Sequence, residues 1–146
     1  MLAIFCFSAQ PADESTETSS GFCILFSKLL YPDYASYEPE IQKMITESMT
    51  FIVRKTAHFT EYAVLGFLFC LYFQDQKYNF LRSVTATGLY ACTDELHQLF
   101  VPGRSGQLRD VVIDTCGGIC GALMAFTIFC ILYYLKNHKI IKKKLL

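Results

Sequence analysis

Long apolar segments separated by short polar turns dominate the chain. Three of them, at residues 56–73, 83–101 and 111–135, are apolar over most of their length. Each is close to the ~20 residues that an α-helix needs to cross the hydrocarbon core of a bilayer. Pro102 and Gly103 mark the break between the second and the third. The pattern predicts an all-α protein, a small transmembrane helix bundle with three full spans.

The chain before these spans has a different character. Residues 1–9 are apolar but reach only about half the length of a span, so they predict a truncated first transmembrane helix or a segment at the membrane interface. The polar stretch 10–21 predicts a loop rich in turns. After Pro39, apolar residues such as Ile41 and Ile45 recur at helical spacing. This spacing predicts an amphipathic helix on the membrane surface, or a packing helix with one solvated face.

Composition supports a membrane protein and orients it. Of the 146 residues, 53% are hydrophobic, which is high for a soluble domain. Acidic residues fill the first third of the chain, whereas lysines crowd residues 136–146. Basic segments beside apolar spans favour the cytoplasm. We therefore expect a basic cytoplasmic tail at 136–146, with the 74–82 turn on the same side, and we expect residues 10–55 and the 102–109 loop to face outward.

Polar residues gather where the predicted spans reach the outer side. Around the start of the first span, Arg54, His58, Glu61 and Tyr62 stand at i, i+4, i+7 and i+8, along one helical face. A charge in hydrocarbon costs at least about 2.5–3.5 kcal/mol, so such residues normally face protein or a wet cavity. The later spans and the loop between them supply partners at the same depth. The predicted polar site comprises Arg54, Lys55, His58, Glu61, Tyr62, Asp94, Glu95, Gln98, Arg104, Asp110 and Asp114.

Several chemistries are open to such a cluster. Its cations could bind an anionic headgroup, its carboxylates could bind a divalent cation, and His58 or a carboxylate could act as an acid or base. A structural ion network that joins three helices is the alternative. The seven cysteines form no CxxC pair and TDELHQ lacks the HExxH spacing. We therefore predict no cysteine or zinc-protease metal site and no cofactor, and we assign no residue of the cluster as a metal ligand.

Small residues mark one face of the third span. Gly117 and Gly121 stand at GxxxG spacing, beside Gly118 and Ala122. Such residues allow helices to approach closely. We expect this face to pack within the bundle, and a contact with a second copy of the chain is the alternative.

Three stretches resemble the VanZ-like family: FSAQPADES at 7–15, RKTAHFTEYAVLGFL at 54–68 and TDELHQLFVPGRSGQLRDVVIDTCGGICGA at 93–122. They follow the family's Arg-Lys-x-x-His-x-x-x-Tyr helix, its Asp-Glu-x-x-Gln and Pro-Gly-Arg motifs, and its Asp-x-x-x-(Asn/Asp) motif before glycines. Asp114 stands where relatives often carry Asn. The resemblance implies one domain over residues 1–146, a multi-pass protein of the bacterial inner membrane. The family is named after a protein linked to resistance to the glycopeptide teicoplanin.

Two functions are compatible with these observations. In the first, the outer-leaflet cluster of an envelope protein binds or modifies an anionic lipid or a cell-wall precursor and affects glycopeptide susceptibility. In the second, the protein is not an enzyme, the cluster is a structural ion network, and function acts through a partner. Transport ranks last because the inner halves of the spans carry few polar residues. The basic residues lack interleaved aromatics, so we expect no nucleic-acid partner.

Overall fold

The computed structural model of the chain describes residues 4, 9 and 12–144, with side chains for residues 4, 9 and 21–138. This part of the chain is helical and contains no strand, which confirms the predicted all-α class. A short 3-10 helix, Tyr34–Ser36, follows the first α-helix. The four α-helices of the described range are α1 (Ala12–Leu30), α2 (Pro39–Tyr72), α3 (Asn79–Gln98) and α4 (Leu108–Lys144).

Prolines and residues with a left-handed backbone conformation lie at the helix boundaries. α1 ends at Leu30, two residues before Pro32, because a proline disfavours helical geometry in the residue before it. α2 has Pro39 in its first turn, where no intrahelical N–H bond is needed. Tyr78, with φ 62°, precedes α3, and Gly103, with φ 73°, turns the chain between α3 and α4.

Two boundary predictions are wrong. The turn-rich loop predicted at 10–21 is helical from Ala12 onward, as part of α1. The surface helix and the first span are one continuous helix of 34 residues, α2. No proline or glycine interrupts the chain between residues 40 and 65, so nothing in the backbone separates the two.

One helix in the described range is long and apolar enough to cross a membrane, over Leu108–His138 with a mean hydropathy of 2.1. It includes the predicted span 111–135. The segments 56–73 and 83–101 are almost wholly helical but do not meet the same criterion, so their crossing of the membrane stays a prediction. Apart from positions 4 and 9, the predicted partial span 1–9 lies outside the described residues.

The glycine stripe of α4 packs inside the bundle. A Cβ placed on Gly121 would collide with the backbone of Ala63 in α2, and one on Gly117 would collide with α2 one turn earlier. A Cβ on Gly118 would collide with the Thr87 side chain in α3. In the described part of the chain, this glycine face therefore lies against α2 and α3. A contact with a second copy of the chain stays a prediction.

Small and polar groups are buried in the bundle beside a few large side chains such as Tyr62 and Leu65, while many large apolar groups are exposed. Ser83 and Thr87 are fully buried, and the Thr87 hydroxyl donates to the Ser83 carbonyl at 2.8 Å. Large apolar side chains such as Val64, Leu89 and Met124 are more than half exposed. Exposed apolar surface of this extent on several helices is typical of proteins that contact lipid.

Candidate functional site

A cavity of about 290 Å³ opens between the middle of α2, the end of α3 and the turn that leads into α4. Four cationic side chains line it, two from α2, one from the turn and one from α4. Two carboxylates, Glu47 and Asp110, also line it. The lining residues are Glu47, Thr50, Phe51, Arg54, Lys55, His58, Gln98, Gly103, Arg104, Ser105, Gln107, Arg109 and Asp110.

Helical spacing places the α2 residues on one wall of the cavity. Glu47, Thr50, Arg54 and His58 stand at i, i+3, i+7 and i+11, which is one face of an α-helix. The sequence predicted this face only from Arg54 onward, because the amphipathic helix after Pro39 and the span at 56–73 were treated as separate elements. The same spacing, extended backward from Arg54, is the signal that would have included Glu47 and Thr50.

An ion pair joins α2 to α4 at the edge of the cavity. The Lys55 ammonium binds the Asp110 carboxylate, and their side chains are only 24% and 13% exposed. Asp110 lies in the first turn of α4, where the helix dipole favours a negative charge. Arg109 lies over the Phe51 ring, 5.3 Å from its centroid, and its Nε is 3.9 Å from Asp110 Oδ1. One wall of the cavity is therefore held by charge pairing and by an aromatic contact.

The two other cations of the cavity are half-buried arginines. Arg54 forms no ion pair with a carboxylate in the described part of the chain. Arg104 lies in the turn after α3. Burial, and then the charge of Arg54, lower the pKa of the Arg104 guanidinium. Two guanidinium groups therefore face the same cavity.

A second set of polar groups lies behind the cavity, where the three longest described helices meet. His58 on α2, Asp94 on α3 and Asp114 on α4 bring one potential ligand atom each within 4.8 Å of one another. Asp94 is 3% exposed and Asp114 is 1% exposed. The Tyr62 hydroxyl, also fully buried, faces Asp94. Gln98 extends from the cavity to this set, with its Nε2 donating to Asp94 Oδ2 at 3.5 Å.

Glu95 performs a structural task at the turn before α4. Its Oε2 accepts the backbone N–H of Gln107 at 2.8 Å, at the point where α4 begins. A carboxylate there satisfies an unpaired donor and interacts favourably with the helix dipole. A Cβ on Gly106 would come within 2.5 Å of the Glu95 carbonyl oxygen, so only glycine fits this position of the turn.

The predicted site residues therefore occupy different places. Arg54, Lys55, His58, Gln98, Arg104 and Asp110 line the cavity, while Tyr62, Asp94, Glu95, Glu61 and Asp114 do not. Glu61, which is half-buried on α2, lies near Asp94. The predicted site did not include six lining residues that carry side chains: Glu47, Thr50, Phe51, Ser105, Gln107 and Arg109.

In the comparison with known proteins, a family model described as VanZ/LLP1 matches residues 1–133. This range contains every residue of the cavity and of the set behind it. No curated protein and no solved structure matches the chain.

Proposed function

The chain belongs to the VanZ/LLP1 family, and on that premise we propose that it is a multi-pass cell-membrane protein whose cavity binds the phosphate of an anionic headgroup. The headgroup is that of a membrane lipid or of a lipid-linked cell-wall precursor. Family membership suggests a membrane protein linked to glycopeptide resistance. The observation that carries the binding proposal is the excess of cations in the cavity, four against two carboxylates.

Arginine suits this role. A guanidinium binds phosphate through two parallel N–H donors, and it loses less hydration on binding than an ammonium does. Lys55 is already paired with Asp110. Arg54 has no such pair among the described carboxylates, so its charge is available to a ligand in the cavity.

The location of the cavity fits a headgroup. It lies at the end of the bundle where α3 ends and α4 begins, at the limit of the apolar stretch Leu108–His138. A phosphate there would stand at the level of the bilayer surface while its acyl or isoprenyl chain lay along the exposed apolar helices. The lysines at the far end of α4 favour the cytoplasm, so we place the cavity in the outer leaflet.

A structural role is the second candidate, and two contacts favour it. The Lys55–Asp110 ion pair and the bond from the Gln107 N–H to Glu95 both fix the turn before α4. Under this alternative the cluster only stabilises the bundle, and the protein acts through a partner. The structural alternative explains Lys55 and Glu95, but it assigns no contact to the Arg54 guanidinium.

Binding of defined lipids to the full-length protein tests the proposal. The protein in phosphatidylcholine nanodiscs is titrated with dihexanoyl phosphatidylglycerol, farnesyl phosphate and, as the neutral reference, dihexanoyl phosphatidylcholine. We expect saturable binding of an anionic probe only, and an Arg54→Ala variant about tenfold weaker. Preference for farnesyl phosphate indicates an isoprenyl-linked precursor, and preference for phosphatidylglycerol indicates a membrane lipid.

The control is Arg82→Ala, which removes an equal charge at the opposite end of the bundle, where Arg82 bonds Gln76. Its binding should equal that of the wild type. Equal binding of the neutral and anionic probes, or unchanged binding by Arg54→Ala, would exclude the headgroup site. Loss of thermal stability in Arg54→Ala, with no binding of an anionic probe by the wild type, would favour the structural network.

A further inference from the structure

Three helices bring a nitrogen and two carboxylates to one buried point. His58, Asp94 and Asp114 each offer one atom, and these atoms lie within 4.8 Å of one another. The set differs from a surface group of acidic residues, since both aspartates are more than nine-tenths buried. It also differs from the cavity lining, to which only His58 belongs.

Each member of this set has an atom without a hydrogen bond in the described structure. The atoms are His58 Nδ1, Asp94 Oδ1 and Asp114 Oδ2, and all three are shielded from solvent. Buried polar groups are nearly always satisfied, because desolvation of an unpaired group is unfavourable. The nearby ammonium of Lys55 already binds Asp110. A cation in contact with all three atoms would satisfy them together and would offset the charge of the two carboxylates.

We propose that His58, Asp94 and Asp114 bind one divalent transition-metal ion of the Zn²⁺ or Mn²⁺ type. An imidazole nitrogen with two carboxylates suits these ions. Ca²⁺ prefers six to eight oxygen ligands, which this buried set does not supply. Ligand atoms about 2.1 Å from such an ion are at most about 4.2 Å apart, so small side-chain rotations would bring the three atoms into range.

The surrounding groups fit the second shell of a metal site. Gln98 Nε2 donates to Asp94 Oδ2, and the Tyr62 hydroxyl faces the same carboxylate. Partners of this kind orient the ligands of a metal. Glu95 is not a ligand, because its carboxylate is engaged by the Gln107 N–H. The sequence prediction of no metal site relied on short motifs, and no short motif contains ligands from three separate helices.

Metal titration of the full-length protein tests this inference without any lipid ligand. Chelator-treated protein in detergent is titrated with Zn²⁺, Mn²⁺, Mg²⁺ and Ca²⁺ against a chromophoric competitor. We expect one Zn²⁺ or Mn²⁺ per chain, and at least tenfold weaker binding in Asp114→Asn and His58→Gln. The matched control, Glu61→Gln, removes a half-buried carboxylate near Asp94 that is not a ligand and should bind like the wild type.

A second measurement uses the unaltered protein, so it does not depend on whether the variants fold. Mn²⁺ bound at the site should show magnetic coupling to an imidazole nitrogen in pulsed EPR, because His58 would be a direct ligand. Absence of a saturable site, or a site without nitrogen coupling, would overturn the proposal. Equal affinity in wild type, Asp114→Asn and Glu61→Gln would do the same. The titration contains no lipid headgroup. A failure to bind metal would therefore overturn only the metal site, and the anion-binding proposal would still be decided by the lipid titration.

Discussion

Lys55 and Asp110 form a largely buried ion pair that joins the middle of α2 to the first turn of α4. One partner precedes the predicted first span and the other precedes the third, so the contact exists only in the folded bundle. It lies on the wall of the basic cavity. The pair therefore connects the stability of the bundle with the shape of the candidate binding site.

Removing one member of this pair should destabilise the protein more than removing both. Lys55→Met leaves the largely buried Asp110 carboxylate with only the longer contact to Arg109, and we expect a loss of about 1–3 kcal/mol. The double variant Lys55→Met with Asp110→Asn should lose less than the sum of the single variants. Thermal unfolding in detergent measures all three. Additive losses would mean that the ion pair contributes no coupling energy.

The glycine stripe allows a second prediction, with a control inside the same chain. Gly121→Ala places a methyl group against the Ala63 backbone, and we expect a loss of more than about 2 kcal/mol since neither backbone can yield. Gly21→Ala in α1 has nothing within 4 Å and should stabilise by about 0.5–1 kcal/mol through helix propensity. Both are measured by thermal unfolding. Equal effects of the two substitutions would contradict the close approach of α2 and α4.

Replacing Arg54 by lysine distinguishes a charge requirement from a requirement for the planar guanidinium. If Arg54 binds a phosphate through two donors, Arg54→Lys should weaken binding of the anionic probe several-fold although the charge is unchanged. Its thermal stability should remain near that of the wild type, because Arg54 forms no ion pair with a described carboxylate. Probe affinity and unfolding temperature are measured on the same preparation. Unaltered affinity would limit Arg54 to a general electrostatic role.

Membrane topology gives a fourth prediction. A cysteine at Ser105, which is exposed in the turn before α4, should react with a membrane-impermeant maleimide in intact cells. A cysteine at Gln76, in the turn before α3, should react only after the inner face is opened. The unaltered protein gives the background from its native cysteines. The reverse labelling pattern would place the cavity on the cytoplasmic side.

Local patterns in the sequence determined most of the helical framework. The apolar runs on either side of Pro102 and Gly103 predict helices, because these two residues turn the chain between them. The GxxxG spacing of Gly117 and Gly121 predicted close helix packing for a similarly local reason. Such properties depend on neighbours within one or two turns, so a sequence without any alignment contains them.

The same patterns failed where two segments share one periodicity. The sequence of α2 predicts a surface helix followed by a span, because its polarity changes near Arg54. Its helical periodicity continues unchanged through that point. Polarity reports the surroundings of a segment, whereas helix continuity depends on the absence of a breaker. The prediction of a loop at 10–21 was wrong for a related reason. α1 begins with polar residues and continues into apolar ones, and a polar segment can be helical without an apolar face of its own.

Tertiary structure alone decided how the polar residues divide. The sequence placed eleven candidates at one membrane depth, but it could not separate the cavity residue Arg54 from the buried Asp114 or from Glu95, which caps α4. Helical spacing gives the face on which a residue lies, while the neighbouring helix decides what that face meets. The convergence of His58, Asp94 and Asp114 depends on the rotation and crossing of three helices, which contacts distant in sequence determine.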